Sequence, residues 1–265
     1  MNSNISLLQL CRAEIYKVSH NRLIVTVLFS LFGVCFLSLL YAIYKSSIGL
    51  FNYEMPHYEG NPWMMIWSRY TLPIFSLMFP LAVVILSYLI CEIEFQNNNI
   101  RSLFSLPVVR WKLYLSKILV LFLLILMLCI FTWLGFILCG YLYGVLIPAY
   151  RFIDYPVWIS SAQIMSRALL ASCCVGTIGL VLSLLSRNFT LPILACILLT
   201  SISLFIANKP LGNYVPFATY AHLATLLPVE ELVSYGTRDF TNVALCSVIT
   251  ILGYSCFDPQ KRIGY

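Results

Sequence analysis

Charge is what this chain has least of. Only 10% of its 265 residues are Asp, Glu, Lys or Arg, 61% are hydrophobic, and the mean hydropathy is +0.90. So few charges cannot solvate the surface of a soluble domain of this size. Alternation of apolar and polar residues over strand-length segments is also missing, which excludes a membrane β-barrel. The apolar runs carry no paired carboxylates, so an ion-coupled carrier, a proton relay and an intramembrane protease are all disfavoured. There is no G-x-x-x-x-G-K-[ST] loop to hold ATP, no H-E-x-x-H and no G-x-S-x-G. The three histidines (His20, His57, His222) are isolated from one another. The ten cysteines form no C-x-x-C pair, and most sit inside apolar runs, among them Cys35, Cys129, Cys139, Cys196 and Cys246. Adjacent Cys173 and Cys174 would point about 100° apart on a helix. They read as small polarisable fillers, with no metal site and no disulfide framework. No small-residue cleavage pattern follows the first apolar stretch, so no cleaved leader is expected. No nucleic-acid partner is expected either.

What remains is an all-α polytopic membrane protein. Continuous apolar runs of bilayer-crossing length predict six spans, at about 23–44, 69–91, 113–146, 160–185, 190–207 and 241–257. The whole chain, 1–265, reads as one transmembrane domain. Before the first span, Leu8, Cys11, Ile15 and Val18 recur at helical spacing, with Gln9, Arg12 and Lys17 away from them. This predicts an amphipathic helix lying in the interface. Trp63 and Trp67 mark the return of the chain to the interface. Pro73 and Pro80 fall inside the second span, where proline loosens the helix. The third span exceeds what a bilayer needs and must tilt or project. In the fourth, Gly176 and Gly179 beside Ala171, Ser172 and Thr177 permit close helix approach. Arg167, about two turns into that span, is expected to snorkel to the headgroups. Residues 208–240 are too interrupted by Pro210, Pro216 and Pro228 to cross and too apolar to be a free loop. Two short re-entrant helices in the outer leaflet fit, at roughly 216–226 and 228–235.

The polar exception is residues 92–117, EIEFQNNNIRSLFSLPVVRWKLYLSK. Residues 92–105 read as one short amphipathic helix, with Phe95, Ile100, Leu103 and Phe104 on one side and Glu92, Glu94, Gln96 and Asn97–Asn99 on the other. Pro107 stops it, and a second helix restarts near Arg110. This is either a solvated hairpin between two spans or a docking element for another protein.

Orientation follows from the distribution of Lys and Arg. Ten lie on the side of the two termini and the hairpin: Arg12, Lys17, Arg22, Arg101, Arg110, Lys112, Lys117, Arg187, Lys261 and Arg262. Six lie on the other: Lys45, Arg69, Arg151, Arg167, Lys209 and Arg238. Both ends and the hairpin are therefore expected in the cytoplasm, with 208–240 outside.

An amphipathic leader carrying E-x-x-K (Glu14 to Lys17), six spans, and a hairpin with Glu92, Glu94, Leu106, Pro107, Arg110 and Lys117 in the pattern E-x-E…L-P-x-x-R…K resemble the type-2 ABC transporter permeases. Gln96-Asn97 and LPVVRWKLYLSK look most like the permease subunits of lantibiotic immunity exporters. The resemblance implies a non-catalytic permease subunit in a bacterial cytoplasmic membrane. It implies a separate ABC ATPase, itself a dimer, carrying ATP and Mg. It also implies a second permease chain, identical or related, contact with membrane lipids, and an amphipathic peptide as cargo. By position, Glu92, Glu94, Gln96, Asn97 and Arg101 would couple to the ATPase, within the hairpin motif of Pro107, Arg110 and Lys117. Pro216, Phe217, Tyr220, Pro228, Glu230 and Glu231 would belong to the outer re-entrant region. Other cargoes consistent with such an exporter are lipid, polysaccharide or small drugs, and a membrane scaffold or assembly protein is the reading outside transport.

Overall fold

A computed structural model describes residues 6–47, 63, 72–95, 109–146, 155, 157–186, 188–225 and 235–257. Among these the ordered structure is helical throughout: α1 Leu7–Ser19, α2 Arg22–Ser47, α3 Leu72–Phe95, α4 Arg110–Leu146, α5 Trp158–Ser186, α6 Thr190–Ile206, a 3-10 turn Pro210–Tyr214, α7 Pro216–Thr225 and α8 Thr237–Phe257. Four helical segments are long and apolar enough to cross a membrane: Arg22–Tyr41, Phe75–Glu92, Arg110–Leu146 and Trp158–Ser186. α6 is equally apolar but shorter, at 17 residues.

Local chemistry sets the boundaries. Ser6 caps α1 by a reciprocal box: its Oγ accepts from the Gln9 amide at 3.3 Å, and the Ser6 amide donates to Gln9 Oε1 at 3.0 Å. Asn21 Oδ1 accepts from the Leu23 amide at 3.0 Å and starts α2 afresh after the break at His20. Pro73 is the second residue of α3, where a missing N–H costs nothing, so only Pro80 lies inside that helix. α3 also runs on through Glu92 to Phe95, because nothing between Leu89 and Phe95 caps or breaks it. The separate helix expected to begin at residue 92 therefore does not begin there. Glu92 and Glu94 belong to the last turn of the second span, and the rest of that expected helix lies outside the described residues.

α3 and α5 form the centre. Phe79, Val83 and Leu86 on α3, and Ala168, Ala171, Cys174 and Val175 on α5, are fully buried. Where the two helices meet, a Cβ on Gly176 would press on Val83 and, from α4, Ile125, and one on Gly179 would press on Ser87. Hydrogen at those two positions lets the backbones close, and Ser87 uses the proximity to donate to Gly176 O at 3.0 Å. α2 packs on α4 and α3, α1 on α4, α6 on α3 and α5, α8 on α5, and α7 wedges between α3, α5 and α6. Trp63 is buried against Gly140, with the Phe136 and Tyr141 rings at 5.8 and 5.2 Å. It packs into the helix bundle near the C-terminal end of α4.

Most helix hydroxyls return to their own backbone: Thr132 to Leu128 O, Ser183 to Gly179 O and Thr200 to Cys196 O at 2.7 Å, and Ser203 to Leu199 O at 2.6 Å. That satisfies each group without a partner helix. The bonds that do cross between helices centre on α4 and α5. Trp133 Nε1 donates to Ser161 Oγ at 3.0 Å, Tyr114 Oη to Thr250 O at 3.0 Å, and Ser172 and Tyr220 share a hydrogen bond of 2.8 Å. The outward face of α6 is apolar, with Leu194, Leu198, Ile202 and Phe205 exposed, as a lipid-facing helix requires.

Candidate functional site

Two polar clusters interrupt this apolar body, one near each end. The first joins α1 to the root of α4. Lys117, fully buried, reaches Glu14 Oε2 at 3.5 Å, and Lys17 holds Glu14 Oε1 at 2.9 Å. Burial alone would push the Glu14 carboxyl upward. The ammonium groups of Lys117 and Lys17 outweigh it and hold the pKa below the ordinary carboxylate value. The E-x-x-K of the leader and the last lysine of the hairpin motif thus form one unit, bridging 103 residues of chain. On α1, Leu8 and Ile15 of the apolar stripe are exposed, as a face turned to lipid would be, while Val18 of the same stripe and Glu14 are buried against the bundle, Glu14 opposite the buried lysine of α4.

Arg110 opens α4, as its place after Pro107 suggested. Glu92 is half-buried at the end of α3. Glu94 shares that last turn. Gln96, Asn97, Arg101 and Pro107 lie outside the described residues. α3 and α4 therefore bracket the hairpin, and α1 is pinned to α4 by the ion pair.

The second cluster lies where α5, α7, α8 and the 3-10 turn converge. Gly236 caps α8, and its amide donates to Asp239 Oδ2 at 2.9 Å. The same oxygen faces Arg167 Nε at 3.5 Å, and the Arg167 guanidinium lies 5.7 Å from the centre of the Tyr235 ring. Arg167 is thus an ion-paired, largely buried residue and does not snorkel. Arg238 donates from Nε to Asn213 Oδ1 at 3.3 Å, and from Nη2 to Asn213 Oδ1 and Ala207 O, both at 2.9 Å. Thr241 donates to Asn213 O at 2.7 Å, and Asn242 Nδ2 to Thr219 Oγ1 at 3.1 Å. His222, on α7, has Nδ1 at 3.5 Å from Asn208 Oδ1. Burial, then the nearby Arg238 and Arg167, lower its pKa to about 4, so it is neutral at pH 7. Arg167, Asn213, Thr219, His222, Arg238 and Asp239 line a cavity of about 200 Å³ with Leu223, Gly236 and Thr237.

Pro216 starts α7, and Phe217 and Tyr220 are buried on it, Tyr220 against Phe79 at 5.8 Å between ring centres. These three serve as packing against the spans. Pro228, Glu230 and Glu231, and the second re-entrant helix, lie outside the described residues. Sequence reading did not single out Arg238, Asp239, Asn213 or Asn242 as a cluster and left His222 isolated. The signal was the adjacent Arg-Asp at the start of an apolar helix, opposite a Pro-Leu-Gly-Asn turn. Among the described residues no three His, Cys, Asp or Glu gather as metal ligands.

The chemistry of the described residues in these two clusters is that of positioning and ion pairing. The model of the ABC-2 family transporter proteins matches residues 10–203, from α1, through Glu14 and Lys117, to the last turn of α6. Comparisons with curated proteins and with solved structures find no match. Matched over most of its length, and built of membrane-crossing helices, the chain belongs to the ABC-2 family of transporter proteins, the membrane permease subunits of ABC transporters.

Proposed function

We propose that this permease is half of an ATP-driven exporter that removes lantibiotic-like, amphipathic antimicrobial peptides from the membrane. Four crossing helices are joined in this reading by α6 and α8, giving six spans with both termini and the hairpin in the cytoplasm of a bacterial inner membrane. ATP and Mg are held by a separate, dimeric ATPase docked on residues 92–105, and a second permease chain completes the pathway. The observation that carries this reading is the Glu14–Lys117 pair. It fixes the interfacial helix to the foot of α4, directly after the hairpin. A push on the hairpin is then delivered to α1 and α4 as one body instead of being absorbed locally. The peptide cargo rests on the likeness of LPVVRWKLYLSK to immunity permeases.

The test is charge reversal at the end of α3. Glu92→Lys with Glu94→Lys is expected to reduce co-purification of the ATPase about tenfold or more, the scale of a lost charge-assisted contact, and to abolish peptide tolerance in cells carrying both subunits. Unchanged assembly and tolerance would sink the docking assignment. Tolerance lost equally for an unrelated, non-peptide drug would redirect the cargo assignment to small drugs.

A further inference from the structure

Among the described residues, two guanidinium groups, Arg167 and Arg238, and one carboxylate, Asp239, line the cavity between α5, α7 and α8, and His222 is neutral at pH 7. Asp239 turns its Oδ2 to Arg167 and the Gly236 amide. Arg238 donates its hydrogen bonds to two neutral acceptors, the carbonyl oxygens of Asn213 and Ala207, and the Asp239 carboxylate acts on it only through space. Its side chain is about nine-tenths buried, yet Nη1 has no hydrogen-bond partner. Carbonyl acceptors fix a guanidinium without neutralising it. The remaining N–H groups of a planar fork suit an oxyanion, which arginine binds better than a solvated ammonium does. The start of α8, at Gly236 and Thr237, adds the positive end of a helix dipole to the same wall. A volume of about 200 Å³ admits a tetrahedral oxyanion with a few waters, at about 30 Å³ per water, but no folded peptide.

We propose that this cavity binds a phosphate group, with the Arg238 guanidinium as its principal donor, Nη1 turning from its shielded position to meet it. The site lies at the level where α8 begins, so a phospholipid headgroup can reach it from the adjoining leaflet, and free phosphate can reach it from water. The proposal is independent of the cargo assigned above.

Two arms separate the sources. In the lipid arm, the delipidated full chain is incubated with dioleoyl phosphatidylglycerol or with dioleoylglycerol, which lacks the phosphate, and retention is read by native mass spectrometry. In the free-ion arm, its thermal midpoint is followed with inorganic phosphate against chloride at equal ionic strength. Selective retention of the phosphate-bearing lipid, or a rise of midpoint with inorganic phosphate, supports the proposal and names the source. Arg238→Gln is expected to weaken the positive arm about tenfold or more. Asn213→Asp is the second variant. It keeps an acceptor against Arg238 but supplies a negative charge, and it is expected to abolish the effect in a folded protein. If Arg238→Gln does not assemble, Asn213→Asp decides alone. Absence of phosphate selectivity in both arms, or phosphate binding unchanged in Asn213→Asp, overturns the proposal.

Discussion

The two polar clusters contain the same charges in opposite arrangements. At the α1–α4 end, one carboxylate receives both cations: Lys117 and Lys17 converge on Glu14. At the α5–α8 end, one carboxylate pairs with Arg167 and acts on Arg238 only through space, while the hydrogen bonds of Arg238 go to neutral carbonyls beside a cavity. In the first the cations are bonded to the carboxylate itself. In the second a buried N–H of Arg238 has no acceptor. Net charge over the described residues is the same in both, so composition alone does not distinguish a structural ion pair from a binding site. The identity of the acceptor does.

The largest expected effect comes from opening the first cluster. Glu14→Leu removes a carboxylate that faces a buried ammonium, and the loss of one member of a buried ion pair costs about 3–5 kcal/mol. The variant is expected to lose thermal stability in detergent and to accumulate poorly, and Glu14→Leu with Lys117→Met is expected to recover most of the loss. A double variant no better than the single one would show that Glu14 and Lys117 do not act as a pair.

A smaller effect is expected at the other end. Asp239→Asn keeps an acceptor for the Gly236 amide but removes the carboxylate facing Arg167. A loss of about 1–3 kcal/mol is expected, the range for a buried polar group left short of a partner, because the cavity lets water or an anion reach the arginines. Excess phosphate in the thermal assay should offset part of it. A loss as large as that of Glu14→Leu would erase the distinction between the two clusters.

The smallest effect is in pH. His222 has a folded pKa of about 4 against 6.5 for an unperturbed imidazole. The unfolded chain therefore binds the extra proton in that window, and stability falls as pH drops from 6.5 toward 4. Glu14 acts lower. Its folded pKa lies below 4.5, so its contribution is present above that value and lost as pH falls beneath it. His222→Gln should flatten the thermal midpoint between pH 6.5 and 4.5 and leave the loss at lower pH in place. Slopes unchanged by that substitution would mean that His222 does not titrate as placed.

Legibility in the sequence divides along the range of the interaction. Long apolar runs predict their helices to within a few residues: 23–44 is Arg22–Ser47, 160–185 is Trp158–Ser186, and 190–207 is Thr190–Ile206. The restart at Arg110, the overlong α4, the start of α7 at Pro216 and the close approach at Gly176 and Gly179 also follow from local chemistry. What the spacing of residues in α1 could not give is which face turns inward. That depends on Lys117, about a hundred residues downstream. The same holds for Arg167, whose partner Asp239 lies at the head of another helix. The expected break before Glu92 fails for a different reason. Charge at the end of an apolar helix marks where it leaves the membrane, not where its hydrogen-bond ladder ends.

The self-bonded hydroxyls have a mechanical meaning for α6. Its Thr200, Ser201 and Ser203 donate to carbonyls of α6 itself, and among the described residues none of its side chains hydrogen-bonds another helix. α5, by contrast, is tied by hydrogen bonds to α3, α4 and α7. Among the described residues α6 is thus held to the α3–α5 pair by the fit of its apolar side chains alone, so its hold depends on packing complementarity, whereas α5 is also registered against its neighbours by directional bonds.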